Sequence, residues 1–336
     1  MDTNKYPNIA IDNNKQNIEF SKNLNVSKYY KNYIELYNVS NNKNFNLELY
    51  NKQNYEQDSN ITQSQLIIPT NSDNTNKILK QSLKDPWELS INDEKFYINN
   101  KIARIFPLLK NFNNFSKIKI DDDSFCYITI REIAELTSKI ICYHLLQYNL
   151  NPQKTKIVDY TSGVGGNVLS FSKYFKYIYA IEICSQRSEF LKNNIDVYGF
   201  KNIDVINKCA IEFNSNDLIK INPNVIFIDP PWGGSNYKSN DKLLLKIGVV
   251  GIEELIISIT EIFSKYYLEF CELNPKEKTN NINNKFVILK LPKNYDVEFL
   301  YNYLKNNNNT TNYNISSSLY ILNKMLIVVC ELQFIY

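Results

Sequence analysis

From about residue 150 onward the chain alternates short apolar runs with longer stretches in which apolar residues recur every three or four positions. The runs at about 156–160, 177–182, 203–206, 225–229 and 285–291 read as strands, and each gives way to a helical pattern. Such alternation is the mark of a parallel sheet covered by helices, an α/β fold. Segments 315–322 and 325–335 suit a closing hairpin that adds antiparallel edge strands, which makes seven strands in all. Upstream, 102–115 predicts an amphipathic helix leading into this region and 133–150 an apolar one. The polar insertions at 274–284 and 305–312 read as surface loops.

The texture differs before that. Residues 1 to about 75 are rich in Asn, Lys, Gln and Ser with scattered apolar positions, a composition that favours disorder or a loosely attached extension. The change comes around Asp85-Pro86-Trp87-Glu88-Leu89. We therefore divide the chain into a low-complexity extension, 1–85, and a folded domain, 86–336, with a helical lead-in at about 100–150.

Composition narrows the picture modestly. A hydrophobic share of 43% in 336 residues is enough for a sizeable core. The net charge of +3 is too mild to mark a nucleic-acid binder by electrostatics alone, although a short anionic ligand needs only a local basic patch. The six cysteines show no C-x-x-C pairing, so we expect reduced thiols in an intracellular protein and no metal site. His144, the one histidine, lies inside the apolar helical run and is expected to be structural. No apolar run approaches about 18 residues, and the expectation is a soluble monomer of nucleus or cytoplasm with no membrane partner.

Glycine changes the picture more. There are only 8, and five of them fall in two loops that follow strands. The first loop is Asp159-Tyr160-Thr161-Ser162-Gly163-Val164-Gly165-Gly166-Asn167, between a strand and a helix, where a ligand can lie against backbone. It lacks the Gly-Lys-Ser/Thr ending of a phosphate-binding loop. Asp159 is placed to face a cationic ligand end, and Glu182, closing the next strand, to hold a ribose diol. This combination favours S-adenosylmethionine over a dinucleotide. The second loop, Asp229-Pro230-Pro231-Trp232-Gly233-Gly234, follows Val225-Ile226-Phe227-Ile228. Its prolines fix φ near about −65° and donate no N–H, so a rigid carbonyl rim can accept from an amino group, with the Asp229 carboxyl as a second acceptor. Trp232 offers a flat face for a base.

These segments, in this order, resemble the trimethylguanosine synthases, cap-specific guanine-N2 methyltransferases. Gly163-Val164-Gly165-Gly166-Asn167 and Pro230-Pro231-Trp232-Gly233-Gly234 are similar to that family's loops. So are Asn193-Asn194 with Val197-Tyr198-Gly199, Leu291-Pro292-Lys293-Asn294 with Asp296, Ile118-Lys119-Ile120-Asp121 with Ile128-Thr129 and Ile133-Ala134, and Leu322-Asn323-Lys324. The resemblance covers roughly 100–336. It implies a Rossmann-like methyltransferase fold and methyl transfer from S-adenosylmethionine to N2 of 7-methylguanosine in an RNA cap, once or twice. By the same resemblance Asp159, Gly163, Gly165, Asn167 and Glu182 contact the cofactor. Asp229 and Pro230 lie at the target amine, Trp232 stacks on the base, and Lys119 and Lys293 meet the cap triphosphate.

The sequence departs from the family at three places. Asp229 stands where animal members carry Ser, which gives an Asp-Pro-Pro-Trp form also met in adenine-N6 methyltransferases. Lys208-Cys209-Ala210 holds no acid where one is expected, so that either Glu212 substitutes for it or cofactor binding is weaker. Cys126 replaces an aromatic residue, with Phe125 and Tyr127 beside it. Transfer to another exocyclic amine of RNA or DNA, and cap binding without catalysis, therefore stand as alternatives.

Overall fold

The structure is a computed structural model that describes residues 18–20, 24–25, 33–39, 101–109, 111–273, 284–308, 312–322 and 325–335. Of the N-terminal extension, three short strands fall within it: β1 (Ile18–Phe20), β2 (Leu24–Asn25) and β3 (Tyr33–Val39). The rest of the extension, and the insertion at 274–283, lie outside the described residues. The domain itself contains strands β4 (Lys156–Asp159), β5 (Tyr177–Glu182), β6 (Ile203–Asn207), β7 (Val225–Ile228), β8 (Lys246–Ile247), β9 (Val250–Gly251), β10 (Asn284–Pro292), β11 (Tyr313–Leu322) and β12 (Met325–Phe334).

Parallel pairing joins β10, β7, β4, β5 and β6 in that order, and the hairpin β11–β12 adds two antiparallel strands beyond β10. These seven strands are the expected sheet. β3 lies antiparallel against β11, with β1 and β2 paired antiparallel to it in turn, and β8 and β9 form a separate small hairpin. The chain builds β4, β5 and β6 outward to one edge, then returns to place β7 on the other side of β4. A crevice opens at such a reversal, at the carboxyl ends of the strands.

Alternation along the strands fills two cores. Ile157, Val225, Phe227 and Ile288 face one side, with Ile141, Leu145, Leu169, Phe171 and Leu191 from helices α3 (Arg131–Gln147), α4 (Val168–Tyr174) and α5 (Ser185–Tyr198), which follow the short α1 (Lys101–Ile105) and α2 (Asp122–Tyr127). Val158, Ile226, Ile228, Val287 and Leu289 face the other, with Leu218, Ile256, Phe263 and Leu300 from α6 (Ser215–Ile221), α7 (Ile252–Leu273) and α8 (Val297–Asn307). All four β7 side chains are buried, and each contributes about 1.5–3 kcal/mol of transfer free energy.

Two expectations are corrected. The helix expected over 102–115 stops at Ile105, and the chain turns through Pro107 into a 3-10 segment, Phe112–Lys117. Proline offers no N–H to the preceding turn and disfavours helical geometry in the residue before it. The loop expected over 305–312 begins later, because α8 runs on to Asn307. His144 is structural as expected: its Nδ1 lies 2.7 Å from Glu331 Oε1 and its Nε2 2.8 Å from the Tyr320 hydroxyl, which ties α3 to the hairpin. Among the described residues no helix is long and apolar enough to cross a membrane.

Candidate active site

β4 and β7 are neighbours, so the residues that leave their carboxyl ends meet in the crevice. Asp159 closes β4 and is fully buried. Its Oδ1 accepts from the Thr161 N–H at 2.9 Å, while Oδ2 is buried with no partner. Burial pushes this carboxyl up to about 8, the Thr161 bond and Lys290 partly oppose the rise, and the nearby Asp229 and Glu182 add to it. A buried acceptor left open in this way costs stability until a donor or cation reaches it.

Glu182, at the end of β5, accepts from Gly163 N–H through Oε2 and from Cys184 N–H through Oε1, both at 2.8 Å. It therefore shapes the glycine loop, and the second lone pair of each oxygen remains for a ligand hydroxyl. Gly163 has φ +53° and open space where a Cβ would stand. Gly165 differs: a Cβ there would lie 2.8 Å from Leu191 Cδ1, so its missing side chain admits α5 against the loop. Asn167 donates to Thr129 Oγ1 at 3.1 Å and leaves its buried Oδ1 without a partner. Thr129 comes from the lead-in segment, which Asn194 clamps to α5 by exchanging hydrogen bonds with the Lys119 N–H and carbonyl at 2.8 and 2.9 Å.

Asp229 follows β7 directly. Its N–H donates to Thr161 Oγ1 at 2.9 Å, which joins the two loops. Its Oδ2 accepts from Lys290 Nζ at 2.7 Å and from Thr129 Oγ1 at 3.3 Å. Pro230 is buried, and Gly233 and Gly234 take left-handed φ values of +91° and +71° that favour glycine. Trp232, just before these glycines, is half-buried, with Nε1 buried and without a partner. Tyr237 stands edge-on to it at 5.3 Å, and Lys290 Nζ sits 4.6 Å from its ring centroid. Asn294, leaving β10, donates to the carbonyls of Tyr237 and Asn240, both at 2.7 Å, and so fixes the loop that carries Tyr237.

The structure thus brings Asp159, Gly163, Asn167, Glu182, Asp229, Pro230 and Trp232 to one edge. Lys119 and Lys293 are exposed, and neither side chain bonds to these residues among those described. Glu212 is exposed on the turn after β6, and Lys208 is paired with Asp217 at 2.9 Å. Tyr127 carries the Arg187 guanidinium 5.3 Å above its ring. The sequence reading missed Lys290 and Tyr237 as site residues and named Thr129 and Asn294 only within segments. For Lys290 a signal existed: a lysine inside the apolar run from Phe286 to Leu291 must find a partner.

The unpartnered buried atoms of Asp159 and Asn167, beside the open space at Gly163, fit a ligand that carries donors and a positive charge, as S-adenosylmethionine does. Comparison with a protein-family model agrees. The sequence model of the family described as RNA cap guanine-N2 methyltransferase matches residues 154–329. The chain is 35% identical over 219 residues to the "Uncharacterized protein L320" of Acanthamoeba polyphaga mimivirus, covering 60% of this chain and 77% of that one. It is 26% identical over 207 residues to the trimethylguanosine synthase of Saccharomyces cerevisiae, covering 60% of this chain and 58% of the yeast protein's length. Among solved structures, that of M. jannaschii TYW2 in complex with AdoMet aligns with a TM-score of 0.35 at 14% identity, covering 66% of this chain and 80% of that one.

Proposed function

The chain belongs to the RNA cap guanine-N2 methyltransferase family, and from that premise we propose that it methylates the exocyclic N2 of 7-methylguanosine in an RNA 5′ cap. The products are the 2,7-dimethyl and, after a second round, the 2,2,7-trimethyl form. S-adenosylmethionine is the cofactor, and when bound it supplies an electrophilic methyl group on a sulfonium.

The chain's own residues bind and orient. Asp159, Asn167 and Glu182 hold the cofactor, with Gly163 giving it room. Gly165 acts by letting the loop close on α5. The Pro230 carbonyl and Asp229 Oδ1 accept from the target amine, which leaves the nitrogen lone pair free to attack. Trp232 holds the base by its face. Holding two reactants in line contributes about 7–11 kcal/mol in well-oriented systems, so no general base is needed and the amine proton leaves after transfer. Lys119 and Lys293, exposed on the lead-in segment and the β10 exit, meet the triphosphate. Residues 86–336 form the catalytic domain on this reading, and 1–85 an extension to it.

The observation that carries the reading is the junction of the two loops: Asp229 N–H on Thr161 Oγ1 at 2.9 Å sets the amine-holding rim beside the cofactor loop. A second reading, transfer to an uncharged exocyclic amine such as adenine N6 or an internal guanine N2, is favoured by Lys290, whose ammonium already stands 4.6 Å from the Trp232 ring centroid and opposes a cationic base. Labelled methyl transfer to a 7-methylguanosine cap dinucleotide, its unmethylated counterpart and adenosine-containing oligonucleotides separates the two. Faster turnover of the unmethylated cap would reject the cap assignment.

A further inference from the structure

Lys290 is the charge in this site that the reaction as described leaves without a task. It lies within β10, is only 3% exposed, and its ammonium is met by Asp229 Oδ2 at 2.7 Å and by the Trp232 face. Another lysine of the same strand, Lys285, is buried at the opposite edge and donates to the Pro223 carbonyl at 2.8 Å, so β10 carries a buried lysine near each end. A surface role therefore does not explain Lys290. Burial without a counter-charge would be costly, and the strand register supplies one: Leu289 pairs with Ile228, which sets Lys290 level with Asp229.

We propose that Lys290 is a positioning residue for methyl transfer: it fixes the Asp229 carboxyl and, together with Thr129, occupies Oδ2, so that Oδ1 is the oxygen left to accept from the exocyclic amine. The proposal rests on the amine-holding role given to Asp229 above. The charged groups around Asp229 are few. Asp159 on β4 and Glu182 on β5 are acids, and Lys290 on β10 is the cation that meets the Asp229 carboxyl. Thr129 from the lead-in segment and Thr161 from the β4 loop contribute uncharged hydrogen bonds. An Asp229 free to turn would not fix the direction of the amine N–H it accepts from, and the nitrogen lone pair would lose its aim.

The device also joins cofactor and substrate loops. Asn167 donates to Thr129, Thr129 to Asp229, and Lys290 bridges Asp229 to the indole of Trp232. The chain of contacts runs from the glycine loop to the stacking face.

Two measurements test this. The sequence holds only Trp87 and Trp232, so in a Trp87→Phe background the emission reports on Trp232 and the ammonium beside its ring. We expect that emission to shift in Lys290→Met and to return in Lys290→Arg. The kcat for methyl transfer should fall by about 10- to 100-fold in Lys290→Met and recover in Lys290→Arg, with S-adenosylmethionine affinity by calorimetry unchanged within about twofold. In an Asp229→Asn background the further change Lys290→Met should lower kcat by less than about twofold, because the cation then has no carboxylate to hold. An emission and kcat that stay in place in Lys290→Met, or an equal loss of kcat when that change is added to Asp229→Asn, overturn the proposal. The emission measurement needs no substrate, so a failure of the cap assignment, read from the substrate panel, is distinguishable from a failure of this one.

Discussion

Replacing Gly166 by Ala probes whether the lead-in segment and the cofactor loop form one rigid unit. A Cβ at that position would lie 2.7 Å from Ile128 Cγ1, 3.0 Å from the Thr129 carbonyl oxygen and 3.3 Å from the Thr129 nitrogen. The Ile128 side chain can turn aside, but the Thr129 peptide moves only with the main chain. Overpacking against such a neighbour costs about 1–3 kcal/mol. Each kcal/mol lowers Tm by roughly 2–4 °C in a domain of about this size, so the melting midpoint should fall by about 2–12 °C. Turnover should fall further than stability alone implies. Thr129 Oγ1 is the atom between Asn167 and Asp229, and a displacement approaching 1 Å at reacting groups costs about 10²-fold, so we expect kcat/KM to drop by about 10- to 100-fold. Gly199→Ala is the control: Gly199 has φ +71° with nothing within 4 Å, so alanine there suffers backbone strain of about 1–2 kcal/mol without touching the site. Scanning calorimetry and methyl transfer per folded molecule are measured on both. If Gly166→Ala melts and turns over like the parent, or if Gly199→Ala loses as much turnover at equal stability, the coupling does not exist.

Three further outcomes are expected. Trp232→Leu should reduce the preference for 7-methylguanosine over guanosine ligands by about 2- to 30-fold, the worth of a cation–π contact of roughly 0.5–2 kcal/mol, as read from the ratio of dissociation constants. Asp159 is held up to about 8 chiefly by burial, so the folded chain keeps a proton that the unfolded chain loses above its ordinary value near 3.8; stability should fall as pH rises between those values. Asp159→Asn should remove that slope in urea titrations while weakening S-adenosylmethionine about 10- to 100-fold by calorimetry. Glu331 behaves oppositely: burial raises its carboxyl, but the hydrogen bond and charge of His144 together with the hydrogen bonds of Tyr148 and Ser316 outweigh this and the net position is below the usual 4.5, so its contribution is present above about that value and is lost as pH falls through the lowered one. His144→Leu should cost about 1–3 kcal/mol at neutral pH and bring on acid unfolding at higher pH, as followed by circular dichroism.

Much of the fold was legible because it is written in short-range pattern. The runs at 156–160, 177–182 and 225–229 became β4, β5 and β7 with small changes of boundary, since alternation and turn residues act over a few positions. The lead-in was misjudged where Pro107 overrode an apolar period, and α8 outran its expected end because its Leu300 and Leu304 are buried against the sheet. At the site the two loops were readable from their glycines and prolines. Lys119 and Lys293 are cations beside motif segments, whereas the lysine that enters the site lies within a buried strand.

By itself the sequence determined the strand and helix order, the two loops and the chemistry of their residues, because each depends on dihedral preferences and periodicity within a few neighbours. Only the tertiary structure decided which groups share a charge. Lys290 and Asp229 are 61 residues apart and meet because β10 pairs in parallel with β7 at one register, Leu289 beside Ile228. A shift of one residue would carry the ammonium to the opposite face of the sheet, since side chains alternate along a strand. That register is set by burial of both sheet faces against separate helical layers, a condition no single segment contains.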